Sequence, residues 1–172
     1  MHRHEAGHGE RTADNLSGGD RCRNGTEEEA LDPLFVAAVR QLCAWDGEDA
    51  AVGHALAAGM DVSAGDNCAI RFAASQGHVH VVKLLCRLER RHGVDVSARN
   101  NEALRQAACH GHVRVVALLC GLPLSRGVDP AACNNEAVIE ASANGHVDVV
   151  RFLCGLPRGR GVDAAAGVNA CI

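Results

Sequence analysis

A fixed internal shift of 34 residues constrains this 172-residue chain more than any other feature. Residues 101–134 agree with residues 67–100 at 19 of 34 positions, and with residues 135–168 at 20 of 34. Self-similarity at such a period marks a stacked-repeat architecture. Each unit is too thin to bury its own apolar face and depends on its neighbours for a core. Composition agrees with thin layers. The chain is 47% hydrophobic but has no Tyr, one Trp and three Phe, so the core must be built of Ala, Val, Leu and Cys.

Each copy reads as two helices around a tight turn. Asn67, Asn101 and Asn135 open the copies as expected N-caps, and Glu102 or Glu136 follows in the favourable first turn. The first helix carries Ala73-Ala74, Ala107-Ala108 or Ala141-Ser142, small residues that let neighbouring layers approach closely. Gly77, Gly111 and Gly145 mark a turn needing positive φ. Each is followed by His (78, 112, 146), expected to satisfy local backbone groups. In the second helix Val81, Leu84, Leu85 and Leu88 fall at i, i+3, i+4 and i+7, a core stripe, with His80, Lys83 and Arg87 facing water. Pro123 and Pro157 stop this helix in the later copies, while Glu89 lets it run about a turn longer in the first. Gly-Val-Asp (93–95, 127–129, 161–163) then leads through a short loop to the next Asn.

Upstream, residues 1–25 are polar and Gly-rich with His2, His4 and His8, and are expected to form a disordered tail. The array is expected to occupy 26–172. Thr26 and Glu29 have capping-box form. A degenerate helix pair over 31–66 serves as a cap, starting from Asp32 and Pro33 with Leu34, Phe35, Ala38, Val39 and Leu42 on one stripe. Regular copies cover 67–100, 101–134 and 135–168, and residues 169–172 align with the start of another.

The segment Ala107–Leu119, of form Ala-Ala-x-x-Gly-His-Val-x-Val-Val-x-Leu-Leu and followed by Gly-Val-Asp, resembles the ankyrin repeat family strongly over 67–168 and weakly over 31–66. The resemblance implies an all-α, ankyrin-type helix-turn-helix solenoid with short inter-repeat hairpin loops. It also implies a concave face, formed by the first helices and loop tips, that binds another protein without catalysis. The family's Thr-Pro-Leu-His start is replaced here by Asn-Glu-Ala-Leu-Arg at 101–105. The altered spacing around Gly93 predicts a stubby hairpin finger.

Other chemistries find little support. A net charge of −4 argues against nucleic acid and anionic membranes as partners. No stretch reaches the roughly 18 apolar residues of a membrane helix, and the N-terminus lacks an apolar signal core. The expected compartment is therefore cytoplasmic. Nine cysteines without Cys-x-x-Cys spacing are read as reduced thiols, with Cys86, Cys120 and Cys154 as core packing. Gly159–Ala164 matches a dinucleotide fingerprint but follows Pro157 in a loop instead of a strand. No catalytic, cofactor or metal constellation emerges, so the expectation is a non-enzyme with no cofactor.

Positions that differ between copies are not needed by the common frame and are free to specialise. These are Phe72, Gln106 and Glu140, Gln76, His110 and Asn144, together with Cys109 and the loop-tip Arg99. They are the expected partner-binding residues of a scaffold, adaptor or inhibitor. An alternative makes the array a module of a larger protein whose activity lies elsewhere. A metal- or redox-responsive role using the His-containing tail and the thiols stands third.

Overall fold

The computed structural model describes residues 59–157 and the single helical residue Ala37. The tail, the capping box at Thr26, the rest of the cap before residue 59, and residues 158–172 lie outside the described residues. Three helix pairs follow one another. They are α1 (Ala64–Ser75) with α2 (Val79–His92), α3 (Ala98–Cys109) with α4 (Val113–Cys120), and α5 (Ala132–Ala143) with α6 (Val147–Cys154). A 3-10 turn at Leu124–Arg126 follows α4, and there is no strand among the described residues. The first helices stack α1 on α3 on α5, and the second helices stack α2, α4, α6 beside them.

Between the layers Ala73, Ala74, Ala107, Ala108 and Ala141 are fully buried, as the small-residue pattern requires for close approach. Leu85, Leu119 and Leu153 are fully buried too, each contributing about 1.5–3 kcal/mol of transfer free energy. The second-helix stripe is rotated from the expectation in the first copy. Val82, Leu85 and Cys86 are buried there, whereas Val81, Leu84 and Leu88 are only partly so. A helix pressed by its own partner and by the next pair buries a wider arc than one stripe. His80, Lys83 and Arg87 do face water. The extra turn of α2 is present, with 14 residues against 8 in α4 and in α6.

Asn67, Asn101 and Asn135 are not N-caps. Each ends a left-handed turn of three residues, 65–67, 99–101 and 133–135, with φ between +52° and +64°. The right-handed part of each first helix begins after it. Gly, Asn and Asp tolerate this conformation, but Arg99 and Cys133 adopt it against the usual L-residue penalty. The Asn side chains are buried and reach across the repeat. The Asn67 Oδ1 accepts the Asp95 N–H at 2.7 Å, and the Asn101 Oδ1 accepts that of Asp129 at 3.0 Å. Asn135 Oδ1 is buried without a hydrogen-bond partner, and the same 28-residue step from it reaches Asp163, outside the described residues.

The connecting loops are closed by turns. Asp95 Oδ1 accepts both the Ser97 N–H at 2.8 Å and its hydroxyl at 2.7 Å. Asp61 does the same with Ser63, and these hydrogen bonds hold its carboxyl below the usual carboxylate value.

Candidate partner-binding face

The repeats are joined by polar contacts that leave few groups of the frame available. Arg71 Nη1 meets Glu102 Oε2 at 2.8 Å, and Arg105 Nη1 meets Glu136 Oε2 at 2.6 Å. Each guanidinium also donates to its own left-handed turn, Arg71 to the Gly65 carbonyl and Arg105 to those of Arg99 and Asn100. The cation thus ties down a strained turn and the next repeat together. In the third copy the equivalent residue is Ile139, so this contact stops there.

The turn histidines also work between repeats, not locally as the sequence suggested. His112 Nε2 donates to the Ser75 carbonyl at 2.9 Å, and His146 Nε2 to the Cys109 carbonyl at 2.9 Å. Each ring lies over the turn glycine of the preceding copy. A Cβ at Gly77 would sit 2.6 Å from His112 Nδ1, and one at Gly111 2.6 Å from His146 Nδ1. Glycine is therefore required at these two turns by contact as well as by φ. Burial, with the nearby His78, His110 and His146, lowers the His112 pKa from 6.5, partly countered by its bond to Ser75.

On this frame the variable residues form two rows along the first helices. Phe72 is half-buried and packs against the core. Gln106 is half-buried, and its Oε1 is enclosed without a hydrogen-bond donor. Glu140 is half-buried on the next helix, with no ion pair among the described residues. In the second row Gln76 and Asn144 are exposed. Asn144 Nδ2 donates to the Glu140 carbonyl at 2.9 Å and to that of Cys109 at 3.2 Å. His110 is half-buried, its Nδ1 donating to the Gln106 carbonyl at 2.9 Å while its ring stacks parallel to His112. Arg99 is exposed at the loop, 3.5 Å from Glu102.

Cys109 does not belong to this face. It is buried and disulfide-bonded, so it offers a partner nothing, and the expectation of reduced thiols fails at this position. Cys68, Cys86, Cys120, Cys133 and Cys154 are not in disulfides. Cys86 and Cys120 are buried as expected, but Cys154 is exposed. Burial pushes the Cys86 thiol up to about 11, partly countered by Arg126, whose Nη1 donates to the Cys86 carbonyl at 2.7 Å.

Sequence reasoning missed Arg71, Arg105, Glu102 and Glu136 as a recurring joint. Their signal is an Arg and a Glu repeated at an offset of 31, which a comparison at 34 does not display. No group of three or more His, Cys, Asp or Glu among the described residues could hold a metal ion. No described helix is long and apolar enough to cross a membrane. A family model of ankyrin repeats, in three copies, matches residues 38–132. No curated protein and no solved structure matches the chain.

Proposed function

The chain belongs to the ankyrin repeat family, and on that premise we propose that it is a non-catalytic interaction module holding a protein partner on the first-helix face. Ankyrin repeats are generally protein–protein interaction modules. The observation that supports this face is the division of labour among polar groups. Asn67, Asn101, Arg71, Arg105, Glu102, Glu136, His112 and His146 are engaged between repeats, whereas Gln76, His110 and Glu140 on the first helices form no ion pair among the described residues and remain at least partly exposed.

In this proposal the array spans 26–172 behind a tail of 1–25 and acts in the cytoplasm as scaffold, adaptor or inhibitor. The partner is another protein, and neither nucleic acid nor a membrane. Affinity capture from a lysate tests the face, using wild type beside a Gln76→Ala, His110→Ala, Glu140→Gln triple variant. The variant is expected to lose the specifically captured protein while melting at a similar temperature. Equal capture by both would place binding elsewhere.

A further inference from the structure

We propose that the outer side of α2 is a docking surface for an acidic segment of this same chain, Glu27-Glu28-Glu29-Ala30-Leu31-Asp32. The surface lies on the second helices and is separate from the first-helix face. Its ground is the way charge is laid out along the chain. Residues 1–58 hold eleven Asp and Glu against five Arg, whereas residues 67–100 hold two against six Lys and Arg. The later copies are nearly balanced, with two against three over 101–134 and four against three over 135–168. The one strongly basic copy is thus the first to follow the strongly acidic stretch.

That excess is concentrated on one helix. α2 carries Lys83, Arg87, Arg90 and Arg91 against the single Glu89, while α4 has one Arg, and α6 one Arg and one Asp. His80, Lys83 and Arg87 are all exposed and fall at i, i+3 and i+7, so successive members stand about 5–6 Å apart on one side of α2. Arg114 is exposed at the position equivalent to His80 on the neighbouring α4. No carboxylate is among the exposed residues described on α2. Neither Lys83 nor Arg114 forms an ion pair among the described residues. The helix dipole favours cations only in the last turn, which accounts for Arg90 and Arg91 but not for Lys83. Like charges at helical spacing repel, and an anion laid along the row relieves them.

The shape of the patch and the remaining sequence select the occupant. The row is one helix wide and about 21 Å long, the size of a short acidic peptide. α2 has no aromatic ring on which a nucleic-acid base could stack, and a single edge offers few cations to a lipid surface. Between Arg23 and Arg40 the chain has four acids and no Lys or Arg, and Glu27-Glu28-Glu29 is its one run of three consecutive acids. Residues 27–32 lie outside the described residues. The capping box expected at Thr26 and Glu29 leaves Glu27 and Glu28 over for this contact. Reach is ample, because seven extended residues already span about 23 Å, more than the length of α2.

Carbodiimide cross-linking of the purified full chain joins a carboxylate to an amine without a spacer, and tests the contact directly. Lys83 is the only lysine in the protein, so every cross-link to a lysine reports on this one position. Peptide mapping at low salt is expected to find Lys83 joined to residues 27–32 within the monomer, at a yield unchanged by dilution. The yield should fall at least about fivefold near 0.5 M NaCl. Replacing Glu27, Glu28 and Glu29 by Gln should cut it by about as much, with the melting temperature unchanged. As a second readout, a glutamate-specific protease should cut at Glu27–Glu29 at least about threefold faster in a Lys83→Glu, Arg114→Glu variant, both sites being exposed. Links found only between two chains give the face to a second copy and overturn the inference. So do links only to carboxylates outside 27–32, a yield indifferent to salt, or equal cleavage of variant and wild type. No link in the chain alone, with Lys83-dependent binding of phosphatidylserine vesicles, gives the face to a lipid surface and overturns it too. None of these outcomes touches the first-helix reading.

Discussion

The second and third copies share most of their residues, yet the same motif lives in different surroundings. Gly111 is covered by the His146 ring, whereas at Gly145 no atom of the described residues lies within 4 Å of where its Cβ would be. Cys120 is buried and Cys154 exposed. Val113 is half-buried, while Val147 is 62% exposed. Burial in a stacked repeat is a property of the joint, not of the unit, so an identical sequence contributes differently wherever a neighbour covers it.

The sharpest way to break this comparison is at the turn glycines. Gly111→Ala combines a φ of +78° with a clash against His146, and should cost about 2–4 kcal/mol. Gly145→Ala has nearly the same φ, +75°, but open space, and should cost only about 1 kcal/mol. Urea denaturation of both variants checks this. Equal losses would show that the ring over Gly111 contributes nothing.

The asparagines give the next largest contrast. Asn101→Ala strips the buried acceptor from the Asp129 N–H and should cost about 1–3 kcal/mol. Asn135→Ala removes an oxygen with no partner and should cost less than about 1 kcal/mol beyond the left-handed backbone effect common to both. Thermal melts of the pair measure the difference directly.

The joint between the first two copies should also be acid-sensitive. Burial lowers the folded pKa of His112 below its ordinary 6.5, so below pH 6.5 the unfolded chain binds more protons than the folded one. His112 therefore supports the fold fully above pH 6.5, and that support falls away as pH drops toward the lowered value. Replacing it by Gln should flatten the dependence of the urea midpoint on pH in this window. A midpoint that follows pH identically in both proteins would contradict the assignment.

The smallest expected effect is a gain. Cys133 is exposed and left-handed at φ +54°, so Cys133→Gly relieves backbone strain without removing a buried contact. After the larger unfolded-state entropy of Gly is subtracted, about 0.5–1 kcal/mol of stabilisation should remain in a thermal melt.

The helix pairs were legible because the 34-residue period and the Ala, Val and Leu patterns are one-dimensional signals. The joints were not, because their contacts fall at other offsets. His112 reaches Ser75 over 37 residues, Arg105 reaches Glu136 over 31, and Asn101 reaches Asp129 over 28. The first two offsets depart from the period by three residues, close to one helical turn, so aligning copies position by position hides them. Asn101 looked like a local cap for the same reason. Variation between copies singles out Gln106 and Glu140 in the sequence, but the enclosure of Gln106 Oε1 without a donor has no one-dimensional signal. Cys109 varied as well, and its burial takes it off the face.

Hydrogen exchange by mass spectrometry, on the chain alone and with its captured protein, tests the central claim most directly. New protection is predicted in peptides from the first helices, around Gln106–His110 and Glu140–Asn144, with little change over Val113–Cys120. Protection confined to the second helices, with the first-helix face exchanging as before, would contradict the account.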